Sequence, residues 1–138
     1  MTILLDTSAL VAALMPDHDQ HIWARPFFRQ PGVILSGHTL AELYAVLTAS
    51  PQFRLKPAYV AQTVGQLAAQ LTIVPLHAEL YLSAIGRIAA LPLTGGAIYD
   101  ALIAEAALKA GASQLVTLNP KHFVRLGPDI AELVIAPV

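Results

Sequence analysis

Three carboxylates stand apart from the other acids of this sequence: Asp6, Glu42 and Asp100. Carboxylate oxygens suit hard divalent cations such as Mg²⁺ and Mn²⁺, which keep open positions for water and substrate phosphate. Several carboxylates brought together repel unless such an ion neutralises them. The chemistry open to that combination is phosphodiester hydrolysis, with the ion polarising the phosphate, activating water and stabilising the leaving oxygen. The chain has only nine acids, so the remaining six can be set aside singly. Asp17, Asp19, Asp129 and Glu132 lie in polar or turn-like stretches and read as solvated surface. Glu79 falls in the first turn of a helix, where its charge complements the dipole. Glu105 follows Asp100 by five positions and turns to another helix face.

Each of the three has a structural competitor. Asp6 ends an apolar run and is equally suited to capping the helix that follows. Thr39-Leu40-Ala41-Glu42 has the spacing of a capping box, in which Glu42 reaches back to the Thr39 backbone N–H. Asp100 sits among Ile98, Leu102 and Ile103 on a largely apolar helix, where an unpartnered carboxylate is costly. A cation resolves that cost, although a dipole role near the helix N-terminus competes with it.

Other catalytic chemistries lack their residues. With no cysteine, thiol catalysis, CxxC metal sites and disulfides are excluded, which agrees with a reducing cytoplasm. There is no GxSxG elbow and no GxxxxGK[ST] phosphate loop. Asp6-Thr7-Ser8 lacks the second aspartate of an Asp-x-Asp phosphatase, and the paired acids of a response-regulator receiver are also missing.

The elements that must position the acids follow from short apolar runs set between helical stretches. Ile3-Leu4-Leu5, Val33-Ile34-Leu35, Thr72-Ile73-Val74, Leu115-Val116-Thr117-Leu118 and Leu133-Val134-Ile135 read as strands. Helices are expected from Thr7-Ser8 to about Leu14, His18 to Arg29 with Pro26 as a kink or stop, and Thr39 to about Ser50. Further helices are expected over Pro57 to Gln70, His77 to Ala90, and Ile98 to Ala110, the last closed by Gly111. Asn119-Pro120 reads as a turn. Fully apolar strands alternating with helices predict an α/β fold with a parallel sheet of four to five short strands, covered on both faces. Residues 1–138 read as one domain, without repeats or linkers. Ligands of such sheets bind at the carboxyl ends of the strands, where Asp6 and Asn119 are both expected.

The composition bears on partners. Hydrophobic residues make up 56% and charged residues 12%, against about 45–50% (glycine included) and about 25% in ordinary soluble domains. No apolar run reaches the roughly 18 residues of a membrane span. The N-terminal Met1-Thr2-Ile3-Leu4-Leu5-Asp6 lacks the basic start of a signal peptide. The surplus apolar surface is therefore expected to meet a protein partner or a second copy of the chain. With a net charge of −1 and a pI of about 6.5, any nucleic-acid surface must be local or supplied by a metal or partner.

Four segments then read as one pattern. They are Leu4-Leu5-Asp6-Thr7-Ser8-Ala9-Leu10, Leu40-Ala41-Glu42-Leu43, Tyr99-Asp100-Ala101-Leu102-Ile103-Ala104, and Leu115-Val116-Thr117-Leu118-Asn119-Pro120-Lys121-His122-Phe123. In order and spacing, across essentially the whole chain, they resemble a PIN domain of the VapC toxin type. The resemblance implies an α/β/α sandwich around a parallel sheet and Mg²⁺- or Mn²⁺-dependent endoribonuclease activity. It also implies homodimerisation and inhibition by a cognate VapB-type antitoxin, through which alone the protein would meet DNA. On matching positions Asp6, Glu42 and Asp100 are the three main acids. Thr7 or Ser8 would support the first by hydrogen bonding, and Thr117 would line the same pocket.

One departure stands out. Asn119 and His122 occupy positions where the family often carries further acids. Asn119 can orient a water but brings no charge, so one ion held by three carboxylates is the expectation. Lys121, His122 and Arg125 follow this edge and are candidates for RNA phosphates, with Arg25, Arg29, Arg54 and Lys56 as a second set. The competing reading is a PIN fold kept as a non-catalytic binding scaffold with a weakened metal site.

Overall fold

In the computed structural model, which describes residues 1–138, every expected strand forms and all five pair in parallel. The chain runs β1 (Ile3–Leu5), α1 (Thr7–Leu14), α2 (His21–Phe28), β2 (Val33–Ser36), α3 (Gly37–Ala49), α4 (Pro57–Gln70) and β3 (Thr72–Val74). It continues through α5 (Ala78–Ala90), α6 (Ala97–Lys109), β4 (Gln114–Val116), α7 (Pro120–Val124), α8 (Pro128–Ala131) and β5 (Val134–Ile135). The strand order is β3-β2-β1-β4-β5, so β1 is central and β2 and β4 flank it.

The two-residue period of a strand divides the core between two layers. Leu4, Ile34, Val74 and Leu115 point to one side and pack with Leu80, Ala84 and Ile88 of α5 and with the alanine-rich face of α6. Ile3, Leu5, Val33, Leu35 and Val116 point to the other, against Leu10 of α1, Leu43 and Leu47 of α3, and Val60 and Leu67 of α4. The result is the expected α/β/α sandwich. Alanine at 101, 104, 106 and 107 is buried throughout, which lets α6 lie close to its neighbours.

Several boundaries differ from expectation for identifiable reasons. Helix α3 begins at Gly37, capped by Ser36, whose Oγ accepts from the His38 N–H at 3.2 Å. Thr39 is therefore buried inside the first turn, and the capping box with Glu42 is not made. Helix α2 begins at His21 rather than His18 and accommodates Pro26 before ending at Phe28. Asn119-Pro120 opens helix α7 instead of forming a simple turn, with the proline at a first-turn position that tolerates its missing N–H. The next short helix, α8, has the same proline start and was not anticipated. At the end of α6 the expected glycine does its work: Gly111 takes φ +66°, a conformation costly for other residues.

Arg87 of α5 ties this half of the molecule together. It donates to Glu105 of α6 at 2.9 Å, to the Leu126 carbonyl at 2.8 Å, and to both Asp129 oxygens at 3.0 and 2.7 Å. Asp129 is thus not merely solvated, as its sequence setting suggested; it is one arm of a bidentate ion pair. Gly127 makes room for that clamp, since a Cβ there would lie 2.9 Å from both Arg87 Nη1 and Asp129 Oδ1. The surplus apolar residues emerge on the helices, with Ile22 of α2 88% exposed and Leu82 of α5 68% exposed. No helix is long and apolar enough to cross a membrane.

Candidate active site

Asp6 is the first residue beyond β1. Its N–H bonds the Val116 carbonyl at 3.0 Å, which extends the β1–β4 pairing and brings Thr117 alongside. Oδ1 accepts from the Ala9 N–H at 2.8 Å and the Ser8 hydroxyl at 2.7 Å, while Oδ2 accepts from the Thr117 hydroxyl at 2.5 Å. The two sequence readings of Asp6 are therefore compatible, because the carboxylate caps α1 and also stands at the sheet edge. It is only 4% exposed. All its partners are neutral, and burial pushes its pKa up to about 6 against the pull of those hydrogen bonds, with Glu42 adding a smaller push.

Ser8 and Thr117 hold that carboxylate from two directions and are themselves held. The Ser8 hydroxyl accepts from the Leu118 N–H at 3.0 Å, and Thr117 Oγ1 accepts from the Asn119 N–H at 2.9 Å. Of the two hydroxyls expected to support Asp6, Ser8 does so. Thr7 instead donates to Glu42 Oε1 at 2.8 Å and sits 3.5 Å from the buried Thr39 hydroxyl.

Glu42 extends from α3 and is also approached by His38, one turn earlier, with Nε2 3.6 Å from Oε1. Asp100 lies in the first turn of α6. His122 Nδ1 at 3.8 Å and Arg125 Nη2 at 3.6 Å face its Oδ2, both too far for hydrogen bonds. Burial raises the Asp100 pKa most; His122 and Arg125 pull it down, and Glu42 pushes it up. Glu42 is thus the acid that both others sense.

The three acids share one edge but do not converge on one point: no three histidine or acidic side chains are grouped closely enough to hold a metal ion as they stand. Each is tethered to its own neighbours. The donor chemistry nevertheless fits a hard divalent cation. Asp6 is a buried carboxylate with no basic partner, and the contacts restraining Glu42 and Asp100 are polar ones that a cation can replace.

The remaining expected residues fall around this edge. Asn119 precedes α7 with its side chain exposed and free of hydrogen bonds, and it does not cap the helix. Lys121 and His122 line a hollow with Leu118, Asn119 and Pro120. His122 lies on α7 facing Asp100. Of the second basic set, Arg25 and Arg29 border a hollow of about 400 Å³ with His21, Ile22 and Pro26 of α2. It holds no carboxylate and is not the reacting centre. Arg54 and Lys56 are exposed between α3 and α4. Two residues escaped the sequence reading. His38 was within reach of it, by its i, i+4 spacing from Glu42. Tyr99, stacked on His38, was not, because their meeting depends on how α3 and α6 pack.

A three-layer α/β/α sandwich with acids gathered at the carboxyl edge of a parallel sheet defines a class, and the chain belongs to it. The PIN domain family model matches residues 3–127, and this protein is a member of that family. It is 33% identical over 106 residues to Ribonuclease VapC27 of Mycobacterium tuberculosis, covering 76% of each chain. Ribonuclease VapC40 of the same species is 35% identical over 111 residues, covering 80% of this chain and 81% of the relative. In fold it is similar to VapBC2 from Rickettsia felis, solved bound to a promoter DNA fragment, with a TM-score of 0.70 at 23% identity and full coverage of both chains.

Proposed function

We propose that this protein is a divalent-metal-dependent endoribonuclease, the VapC-type toxin of a toxin–antitoxin pair, with Asp6, Glu42 and Asp100 as its acids. The observation that carries the reading is Asp6, a buried carboxylate at the sheet edge whose partners are all neutral. Its relatives named as VapC ribonucleases support the same activity.

Asp6 and Asp100 would hold the ion directly, with Glu42 holding it or its water. When bound, Mg²⁺ or Mn²⁺ supplies Lewis acidity toward the scissile phosphate and offsets the repulsion among the carboxylates. Ser8 and Thr117 keep both Asp6 oxygens aimed, and Thr7 does the same for Glu42. Such supporting hydrogen bonds spare the site reorganisation at the moment of reaction. The exposed Asn119 amide would orient the attacking water. His122 and Arg125, already beside Asp100, and Lys121 next to them would bind backbone phosphates of the RNA.

The protein acts in the cytoplasm, as a homodimer restrained by a VapB-type antitoxin, and meets operator DNA only through that antitoxin. Apolar residues exposed on α2 and α5 supply surface for such contacts. The decisive experiment is cleavage of total cellular RNA with Mg²⁺, Mn²⁺ or EDTA, beside Asp6→Asn and Asp100→Asn. Discrete fragments that require metal and vanish in both variants are expected. Cleavage that survives EDTA or the substitutions would overturn the assignment. Inactivity of the folded, metal-binding protein on every RNA would favour the scaffold reading.

A further inference from the structure

Beside the acids, α3 and α6 present a pair of rings that the proposed chemistry leaves unused. His38 and Tyr99 stack with centroids 5.1 Å apart and planes within 5° of parallel. The rings lie parallel, and Tyr99 remains 52% exposed. The core does not call for a tyrosine there: α6 is anchored by Ala97, Ala101, Leu102 and Ile103. A large aromatic left half in water, held flat by a second ring, is a surface built for contact.

Its place narrows what that contact is. Tyr99 directly precedes Asp100, and His38 stands one turn before Glu42 with Nε2 3.6 Å from its carboxylate. The hollow against the rings is lined by His38, Ala41, Glu42, Ala45 and Tyr99, about 340 Å³ in volume. Ala41 and Ala45, one turn apart on α3, leave its floor apolar and unfilled. A shallow, open apolar surface edged by an acid suits one face of a planar heterocycle with polar groups on its rim. It opens beside the acids where a scissile phosphate would sit.

We propose that Tyr99, backed by His38, is the stacking platform for an unpaired nucleobase next to the cleaved phosphodiester. The inference rests on the nuclease reading and adds to it the side chain that would hold a base beside the cut. Bases in a duplex have both faces covered by their neighbours, so only a splayed base offers a face to the ring. Stacking accepts any base, because every base has a π-face. It therefore selects for unpaired structure more than for sequence.

The test is binding of short single-stranded oligoribonucleotides carrying a fluorescent aminopurine, whose emission is quenched on stacking. Wild-type protein should quench the probe with EDTA present, and Tyr99→Ala should bind about tenfold more weakly, in line with the loss of one base–aromatic stack. Tyr99→Phe, which keeps the ring, should restore both affinity and quenching. In RNA cleavage, Tyr99→Ala should raise KM by a similar factor and change kcat much less. Unchanged quenching and KM in a folded Tyr99→Ala protein would overturn the proposal. So would a Phe variant as impaired as Ala, since the hydroxyl and not the ring face would then be the contact. Loss of affinity for the antitoxin with RNA binding intact would reassign the surface to a protein partner. Because quenching is read without metal, it tests the platform even if the protein cleaves nothing.

Discussion

Helix α6 carries two acids in opposite circumstances. Glu105, in its middle, meets the Arg87 guanidinium at 2.9 Å, and Arg87 reaches on to both oxygens of Asp129. There the Asp129 carboxyl is held below its ordinary pKa and the Arg87 guanidinium is raised. Asp100, near the start of the same helix, has its pKa raised, and Asp6 across the edge is pushed up to about 6. Both places bury part of a carboxylate; only the clamp supplies hydrogen-bonded positive charge. The clamp lowers the free energy of the folded chain, whereas the edge holds charge at a cost that a ligand can relieve. That contrast separates acids held by a paired cation from the acids to which the proposed function assigns the chemistry.

The sharpest way to break the contrast is Asp6→Asn. Activity should fall by about a hundredfold or more if Asp6 is, as proposed, a direct ligand to the ion. The same variant should melt at a higher temperature than wild type at neutral pH without metal, because the cost of a buried charge is gone. Differential scanning fluorimetry beside the cleavage assay reads both. Loss of activity together with loss of stability would place Asp6 with the clamp residues as a structural acid.

Next in size is the pH response of that stability. Asp6 has a folded pKa of about 6 against 3.8 unfolded, so between these values the folded chain binds the extra proton. Its contribution is fully present below pH 4 and lost as pH rises through 6, a swing of about 3 kcal/mol at 1.36 kcal/mol per unit. The difference between wild type and Asp6→Asn isolates it from the rest of the chain. In metal-free urea unfolding the asparagine advantage should be present at pH 7 and vanish near pH 4. An advantage independent of pH would mean that Asp6 is not the group responsible.

Breaking the clamp should do the reverse. Arg87→Ala leaves Glu105 and the Leu126 carbonyl without their donor and is expected to cost about 2 kcal/mol, discounted because Asp129 is half exposed. The unfolding midpoint should drop, while cleavage per folded molecule stays near that of wild type. A large loss of activity in protein shown to be folded would join the two regions functionally and remove the distinction between them.

Where the two regions differ, they also differ in how openly the sequence displays them. The strands were legible because each is a short apolar run, and Asp6 because it interrupts the first of them. Asp100 showed itself as a charge set among Ile98, Leu102 and Ile103. The clamp was hidden, because Arg87 and Asp129 are 42 positions apart and meet only after α5, α6 and α8 have packed. Local pattern also misjudged Glu42, whose spacing from Thr39 suggested a cap. Ser36, buried at the end of β2, offered the better one. Helices α7 and α8 are too short to show a period, and only their prolines marked where they begin.

The smallest predicted effect tests the tether between α1 and α3. Thr7→Val keeps the shape of the side chain but removes the hydroxyl that donates to Glu42 at 2.8 Å. Valine lies well in a helix that is otherwise apolar here, and the bond is only partly buried, so the stability change should stay within about 1 kcal/mol. Activity should fall by about tenfold, the scale at which losing an outer support of a metal ligand acts. Titrating Mg²⁺ in the cleavage assay locates that loss. If Thr7 orients Glu42 for the ion, the metal concentration for half-maximal rate rises and saturating Mg²⁺ restores most of the rate. A lowered rate that saturating metal does not restore would mean that Glu42 works on the water or substrate, and that Thr7 positions it for that task.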